Sequence, residues 1–498
     1  DGYYLRARLI DTLTNTTSNT FTLMAGEVAD VVILNQPSSV DAQGNTTRTG
    51  ELLAAQPKVE LVDDGGYPVV AQNSGSVTVS ISSGSGGSLS EGTTTATVEN
   101  GVAQFAGVKL VGTVATTTTA ATPYKLKFTF SGIDSDESNA LTVRNNVAHH
   151  LTATRAPGIG QAGVQLSGDD RPQVEIRDRF NNRVLDDTGS IRVSVAVASG
   201  SGTPAVFGST TVAASSGLAT FGIGVGGLTS NTYSFSYAYL PSATVAGTSQ
   251  TGITITDGDV YQLVATTAPA TVDGAIVRNK TGEALKVQPV LEFRDQWNNL
   301  VEAANGSSYQ VVAAIHDVID VRDRLEGATV SAVNGVVTYS ALKLIGRPGQ
   351  NYTLDFSWTV DNTVHARTAD NLMVTHADAH HLTIVTQPAS QTSPTGPKTR
   401  TGDALAVAPV VEVRDFDDNV VTGLTSGQFL TAAVTTGSGS ANAVDGGVTN
   451  SDQAEIIDGV ADFDGIKIVA LPNTDQKLTF TGLTFTSAES SAFQLTHA

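Results

Sequence analysis

The stretch RPQVEIRDRFNNRV at residues 171–184 reads as a proline-led strand that ends in an acidic turn, and the chain contains it four times. The other copies are QPKVELVDDGGYPV at 56–69, QPVLEFRDQWNNLV at 288–301 and APVVEVRDFDDNVV at 408–421. Their prolines, Pro57, Pro172, Pro289 and Pro409, are spaced by 115, 117 and 120 residues. That is the length of a small domain and well beyond a solenoid repeat, so each step is expected to hold its own core. Within the motif Val59 and Leu61, Val174 and Ile176, Leu291 and Phe293, and Val411 and Val413 alternate with Glu60, Glu175, Glu292 and Glu412. One buried and one wet face is the pattern of an antiparallel sheet.

Two further markers keep the same register. The first is NGVAQFAGVKLVG from Asn100, SGLATFGIGVGG from Ser216, NGVVTYSALKLIG from Asn334 and DGVADFDGIKIVA from Asp458. The second is an alternating aromatic strand, YKLKFTF from Tyr124, YSFSYAY from Tyr233, YTLDFSW from Tyr352 and QKLTFTG from Gln476, where the fourth copy lacks the tyrosine. A closing strand follows in each: NALTV, TGITI, DNLMV and SAFQL. Period-2 alternation runs throughout, and no segment holds a helical apolar stripe over three turns. About seven strands per repeat, split by Gly, Asn and Ser turns, predict an all-β chain of tandem immunoglobulin-like Greek-key β-sandwiches. Gly66, Asn181, Asn298 and Asp418 share one turn position, where a left-handed backbone is expected.

The expected modules are residues 30–147, 148–259, 260–377 and 378–498. Residues 1–29 match the last two strands of a repeat: YYLRARL from Tyr3 and NTFTL from Asn19 keep an 18-residue spacing between Tyr3 and Phe21. Two strands alone leave open edges. The expectation is therefore a segment of a longer polypeptide, or strands that complete a neighbouring subunit in a homopolymer.

Composition narrows the function classes. Without cysteine there are no disulfides, thiolate metal sites or cysteine nucleophiles. With 28 Lys and Arg against 48 Asp and Glu, the net charge of −20 argues against a nucleic-acid surface. It favours solubility and cation binding. No apolar run reaches the length of a membrane span.

The chain resembles the bacterial immunoglobulin-like repeats of large surface proteins, including invasin- and intimin-type adhesins and surface-layer-like arrays. The motif V-x-D-x-x-x-N-x-V, clear at 176–184, 293–301 and 413–421, carries the resemblance together with the G-V/L-A/V-x-F/Y segment. The first repeat departs, with Tyr67 where the others have Asn182, Asn299 and Asn419. The resemblance implies the sandwich fold and an extracellular, cell-surface setting; it says little about function.

Local patterns suggestive of active sites fail on context. GIGQAG from Gly158 fits a dinucleotide fingerprint but runs into Pro172 and strand alternation instead of a helix, and GIGVGG from Gly222 is one copy of a strand marker. No enzyme is expected. The histidines pair as His149-His150 and His380-His381, at matching positions where one repeat passes into the next. Alternation on a strand would send the members of each pair to opposite faces, where they could not chelate one ion unaided, so packing at the junction is the expectation and zinc at the junction the alternative.

The acidic turns are the candidate binding sites. Asp63 with Asp64, Asp178, Asp295, and Asp415 with Asp417 and Asp418 are candidate calcium ligands, although one loop offers fewer oxygens than calcium takes. A turn capped by its own Asp side chain fits the same residues. Trp297, at the place of Phe180 and Phe416, reads as a hydrophobic cover over the turn, with a carbohydrate-stacking platform as the other reading. The functional expectation is an extracellular structural array, as adhesin stalk, surface layer, sheath or filament, whose partners are itself or other surface proteins and glycans. The alternative is a carbohydrate-binding or enzyme-appended set of modules.

Overall fold

A computed structural model describes residues 2–8, 15–116, 119–272, 279–358, 364–367, 372–436, 440–441, 452–484 and 488–497. The chain is all-β: among these residues the sole helical segment is the short 3-10 turn Gly168–Asp170. It divides into two compact units, Asp1–Thr256 and Asp257–Ala498.

The second repeat shows the plan. One sheet has the order His150–Arg155, Gln173–Arg177, Leu218–Thr220, and the other the order Thr211–Ala213, Ser190–Ser199, Thr232–Tyr239, Thr248–Ile253. Neighbours within each sheet are antiparallel. The third repeat reproduces it with Gln262–Thr267, Val290–Arg294 and Val336–Thr338 facing Thr329–Ala332, Gly306–Ile315, Leu354–Trp358 and Val364–Arg367. In the first repeat Thr95–Glu99 joins the two sheets, pairing through Thr95–Thr97 with Ser76–Ser83 and through Val98 and Glu99 with Val102–Gln104. Gln453–Ile457 does the same in the fourth.

After its first strand each repeat pairs in parallel with its own closing strand: Arg48 with Arg144, Gly160–Gln161 with Ile255–Thr256, Lys280 with Thr375, and Arg400 with Thr496. Antiparallel neighbours inside each sheet plus this one parallel closure give the immunoglobulin-like sandwich.

The sequence markers meet in space, which is why they stay in register. The marker that follows the proline-led strand, NGVAQFAGVKLVG and its copies, is the second of the three in chain order and opens on a two-residue turn with both residues left-handed: Asn100-Gly101, Ser216-Gly217, Asn334-Gly335 and Asp458-Gly459. That is the twist-matched hairpin turn. Its glycine lies against the carbonyl that ends the acidic-turn motif. A Cβ on Gly101 or Gly335 would stand 2.6 Å from the oxygen of Val69 or Val301, and one on Gly459 2.5 Å from that of Val421. The glycine carbonyl in turn accepts the N–H of Leu61, Ile176, Phe293 or Val413.

An aromatic from this marker packs on one from the aromatic strand across every sandwich: Phe105 on Phe128, Phe221 on Tyr237, Tyr339 on Phe356 and Phe463 on Phe480, with centroids 5.0 to 5.8 Å apart. Burial of such rings supplies roughly 2–3 kcal/mol each, before the tilted ring contact is counted. The alternating set of the proline-led strand is fully buried in all four copies.

Residues 2–8 and 15–25 pair as Arg6–Arg8 with Asn15–Thr17 and as Tyr3 with Phe21. The Tyr3–Phe21 bridge is the counterpart of Tyr124–Leu141, Tyr352–Leu372 and Gln476–Phe493. Its apolar side chains stay exposed, Leu23 to 65% and Met24 to 82%, whereas Tyr124 and Leu126 are fully buried.

Candidate functional site

The acidic turn is the feature the four repeats share in most chemical detail. Its backbone is one geometry: the N–H of Asp63, Asp178, Asp295 and Asp415 donates to the carbonyl of the residue four on, and the N–H three on returns to the Asp carbonyl. The residue that makes this return bond, Gly66, Asn181, Asn298 or Asp418, has φ between 68° and 79°. The left-handed position expected from residue type is therefore present in every copy.

Each Asp side chain then has two jobs. One carboxylate oxygen accepts two N–H groups of its own turn, from Gly65 and Tyr67, Phe180 and Asn182, Trp297 and Asn299, or Asp417 and Asn419, at 2.8 to 3.0 Å. The other oxygen reaches back to the segment that enters the repeat. It accepts the N–H of Gly26 at 2.8 Å, Asn146 at 2.8 Å, Gly258 at 2.8 Å or Ala377 at 2.9 Å, 32 to 38 residues upstream. In the last three repeats the motif's Asn adds its side-chain amide, Asn182 to Asp178, Asn299 to Asp295 and Asn419 to Asp415. Tyr67 makes no such bond from the first repeat's turn, and Asp63 is half-buried where the other three are sealed from solvent. The hydrogen bond from Gly26, foremost, and those from Tyr67 and Gly65 hold the Asp63 carboxyl below the usual carboxylate range.

An arginine braces the turn from the strand. Arg177, Arg294 and Arg414 donate to the carbonyl of the left-handed residue and pair with Glu175, Glu292 and Glu412, two residues back on the same face. The outward glutamates are thus half-covered and ion-paired. In the first repeat Val62 stands at the arginine's place.

Further contacts fix the entering segment. Asn146 donates its amide to Thr49 O at 2.8 Å, Asn145 donates to Asp186 at 2.7 Å, and Arg144 and Arg48 pair with Asp186 at 3.2 and 3.8 Å. Phe180 lies against Gly50 under the Arg179 guanidinium, whose carbon is 4.5 Å from the ring centre. At the fourth repeat Arg322 reaches the carbonyls of Asp417 and Asp418 and the Asp418 carboxylate, and Arg324 pairs with Asp417 at 3.2 Å. Asp320 is held far below the usual carboxylate range by Arg322, then Arg347. Lys280 and Asp378 pair at 2.6 Å, raising the ammonium and lowering the carboxyl.

These partners change the reading of the calcium candidates. Asp178, Asp295 and Asp415 direct their oxygens at the chain's own N–H groups, and Asp417 and Asp418 at arginines, so the capped turn is the geometry observed. Asp63 likewise spends its oxygens on the N–H groups of Gly26, Gly65 and Tyr67, and Asp64 is exposed beside it. Among the described residues no three His, Asp or Glu side chains come together as a metal-holding group. Trp297 and Phe180, each two residues after the turn Asp, are both half-buried, whereas Phe416 follows Asp415 directly and is 72% exposed, so the three aromatics share neither one place nor one role. Of five glycosylation sequons in the sequence, the one at Asn279 is closed, because its side chain is fully buried between Ala284 O and Lys286 N–H.

The donors Gly26, Asn146, Gly258 and Ala377 escape sequence reasoning because they act through main-chain N–H. Arg322 and Arg324 stand at the start of the strand Arg324–Glu326, whose pairing with Lys343–Ile345 recurs as Ala205–Gly208 with Ile223–Gly226 and as Ser440–Ala441 with Ile468–Val469, but those counterpart strands carry no arginine.

No protein-family model and no curated protein matches the sequence. Among solved structures, the FN1-FN3 domains of chicken CNTN1 align over 71% of this chain and 100% of theirs at 12% identity, with a TM-score of 0.21. Extracellular domains 3-5 of Drosophila OTK align over 71% and 100% at 10% identity and TM-score 0.16. A beta-glycosidase from Bacteroides vulgatus aligns over 45% of this chain at 10% identity and TM-score 0.19, and the chain spans 24% of that enzyme. Likenesses of this size carry no functional argument; the fold rests on the strand order and burial described above. No helix among the described residues is long and apolar enough to cross a membrane.

Proposed function

We propose that this chain is an extracellular structural protein, a tandem immunoglobulin-like array that forms part of a cell-surface assembly as adhesin stalk, surface layer, sheath or filament. The observation that supports it is the recurrence of one bond: in all four repeats the turn carboxylate fixes the N–H of the segment entering its own module. Three of these carboxylates are sealed from solvent and all four are engaged by backbone donors. The bond sets the direction in which the chain enters a module, and a setting repeated four times serves an array whose purpose is geometry. The partners on this reading are other copies of the chain or other surface proteins and glycans.

Sedimentation and negative-stain imaging of the purified chain, with calcium and with chelator, test the proposal. Ordered sheets or fibres assign it to a lattice or filament, and a monomer at high concentration to a stalk. Hydrolytic turnover, or saturable glycan-array binding traced to a single module, overturns the structural reading in favour of an enzyme-appended or carbohydrate-binding set.

A further inference from the structure

The two histidine pairs do not behave as strand alternation predicts. Nδ1 of His149 stands 3.3 Å from Nδ1 of His150, and Nδ1 of His380 stands 3.3 Å from Nδ1 of His381. The rings are edge-on in both, with centroids 5.5 Å apart and planes at 83° and 80°. The cause is local backbone. His149 precedes its strand, which begins at His150, and His380 is the extra residue of a bulge between Ala379 and His381. Neither pair lies in regular alternation, so two neighbouring side chains share a side. One geometry has formed independently in each of the two compact units.

A separation of 3.3 Å is long for an N–H···N hydrogen bond, but it matches a metal bite. Two nitrogens bound to a tetrahedral zinc at about 2.0–2.1 Å stand about 3.3–3.4 Å apart. Square-planar copper would draw them to about 2.8 Å. We infer that His149-His150 and His380-His381 are two open zinc sites, each binding through paired Nδ1 atoms. Both rings then carry their proton on Nε2, and a small ring rotation aims the second lone pair at the ion.

The fourth-repeat site has an outer support the other lacks. His381 Nε2 lies 3.4 Å from Asp418 Oδ1, so the carboxylate favours the tautomer that keeps its proton on Nε2 and leaves the Nδ1 lone pair for metal. His380 is held by the edge of Phe416, with centroids 5.2 Å apart. The residue at Asp418's place in the second repeat is Asn181, which carries no charge. The cations opposite the pairs, Arg177 across from His150 and Arg414 across from His381, are each paired with a glutamate, Glu175 or Glu412, which offsets their repulsion of a metal ion. Among the described residues no third His, Asp or Glu completes either set, so the remaining positions go to water or to a donor from another molecule.

Calorimetric titration of the whole chain with zinc chloride tests this, alongside nitrogen NMR of the imidazoles. Two zinc ions per chain are expected, one lost in the H149A/H150A variant, the other in H380A/H381A, and both in the quadruple variant. Asp418→Asn is expected to weaken the fourth-repeat site about tenfold and leave the other unchanged. In the wild-type protein zinc is expected to move the Nδ1 resonances of these four residues, a readout that needs no variant to fold. Unchanged stoichiometry in the quadruple variant, zinc seated on Nε2, or equal affinity with Asp418→Asn would overturn the assignment.

Discussion

Asp178→Ala is the most direct test of the turn as a lock. The wild-type carboxylate is sealed from solvent and accepts the N–H groups of Phe180, Asn182 and Asn146 and the side-chain amide of Asn182. Phe180 and Asn182 are half-buried, so their freed donors can find water, and each lost bond costs about 0.5–1.5 kcal/mol. Asn146 is buried, and its orphaned N–H carries a desolvation penalty of about 1–3 kcal/mol. The total is about 2–6 kcal/mol. In a repeat of this length that amounts to a fall of about 10–20 °C in the melting of one module, the others holding their transitions. Scanning calorimetry resolves the modules, since the chain as a whole is not two-state. Asp178→Asn keeps the shape but turns an NH2 toward a donor, with a cost of about 2–3 kcal/mol expected. Amide exchange separates the two jobs: Asp178→Ala should deprotect the Asn146 amide together with those of Phe180 and Asn182. If the second-repeat transition moves by less than about 2 °C, or Asn146 exchanges at the wild-type rate while the turn amides speed up, the lock does not exist.

Other predictions come from the same contacts. Gly335→Ala puts a Cβ 2.6 Å from Val301 O at a left-handed position, so the third repeat should lose more than the roughly 1–3 kcal/mol of the conformation alone, read as a single shifted calorimetric transition. Gln476→Tyr should destabilise the fourth repeat, and adding Ala470→Gly should recover at least half of the loss; equal melting of the single and double variants would refute the coupling. Alkaline stability should also fall. Burial, with Asp187 adding for Tyr239 and Asp323 for Tyr352, pushes both phenols up to about 12 against an ordinary 10. A folded pKa above the unfolded one leaves stability intact below pH 10 and removes it as pH rises from 10 to 12. Absorbance at 295 nm with circular dichroism should show these phenols ionising late and with loss of structure; uniform titration near pH 10 in a folded chain would count against it.

The fold was legible because burial leaves a periodic trace. Val174 and Ile176 flank Glu175 on an alternating strand, and the structure seals the first two while leaving the third half-covered. The left-handed turn was legible for an equally local reason, since Gly66, Asn181, Asn298 and Asp418 are residue types that tolerate positive φ. The second job of the turn Asp was not. Its partner is a main-chain N–H 32 residues or more upstream, and a peptide group has no letter in the sequence. The histidine pairs were misread because alternation was applied to a strand's edge and to a bulge, the two places where it fails. The calcium candidates and the self-capped turn were two readings of the same carboxylates, and the partners seen for Asp178, Asp295, Asp415, Asp417 and Asp418 are N–H groups and arginines of the same chain.

One departure in the fourth repeat shows how tightly the markers constrain each other. In the first three repeats the second marker closes on Gly112, Gly227 or Gly346, and the aromatic strand opens on Tyr124, Tyr233 or Tyr352. The glycine exists for the ring: a Cβ on Gly112 would stand 2.6 Å from Tyr124, and one on Gly346 2.7 Å from Tyr352. The phenol then ties down the loop it covers, as Tyr124 does by accepting from Thr113 N–H and donating to Ser85 O. The fourth repeat has Ala470 and Gln476 at these positions. Both letters changed because neither change is neutral alone: alanine beside tyrosine would clash, and glycine beside glutamine would leave a gap in a core that fills at close packing. Gln476 is as fully buried as the tyrosines and turns its amide to Thr474 instead. Two positions six residues apart are thus expected to act as one packing unit, with Ala470 and Gln476 together replacing the glycine-tyrosine pair of the other repeats.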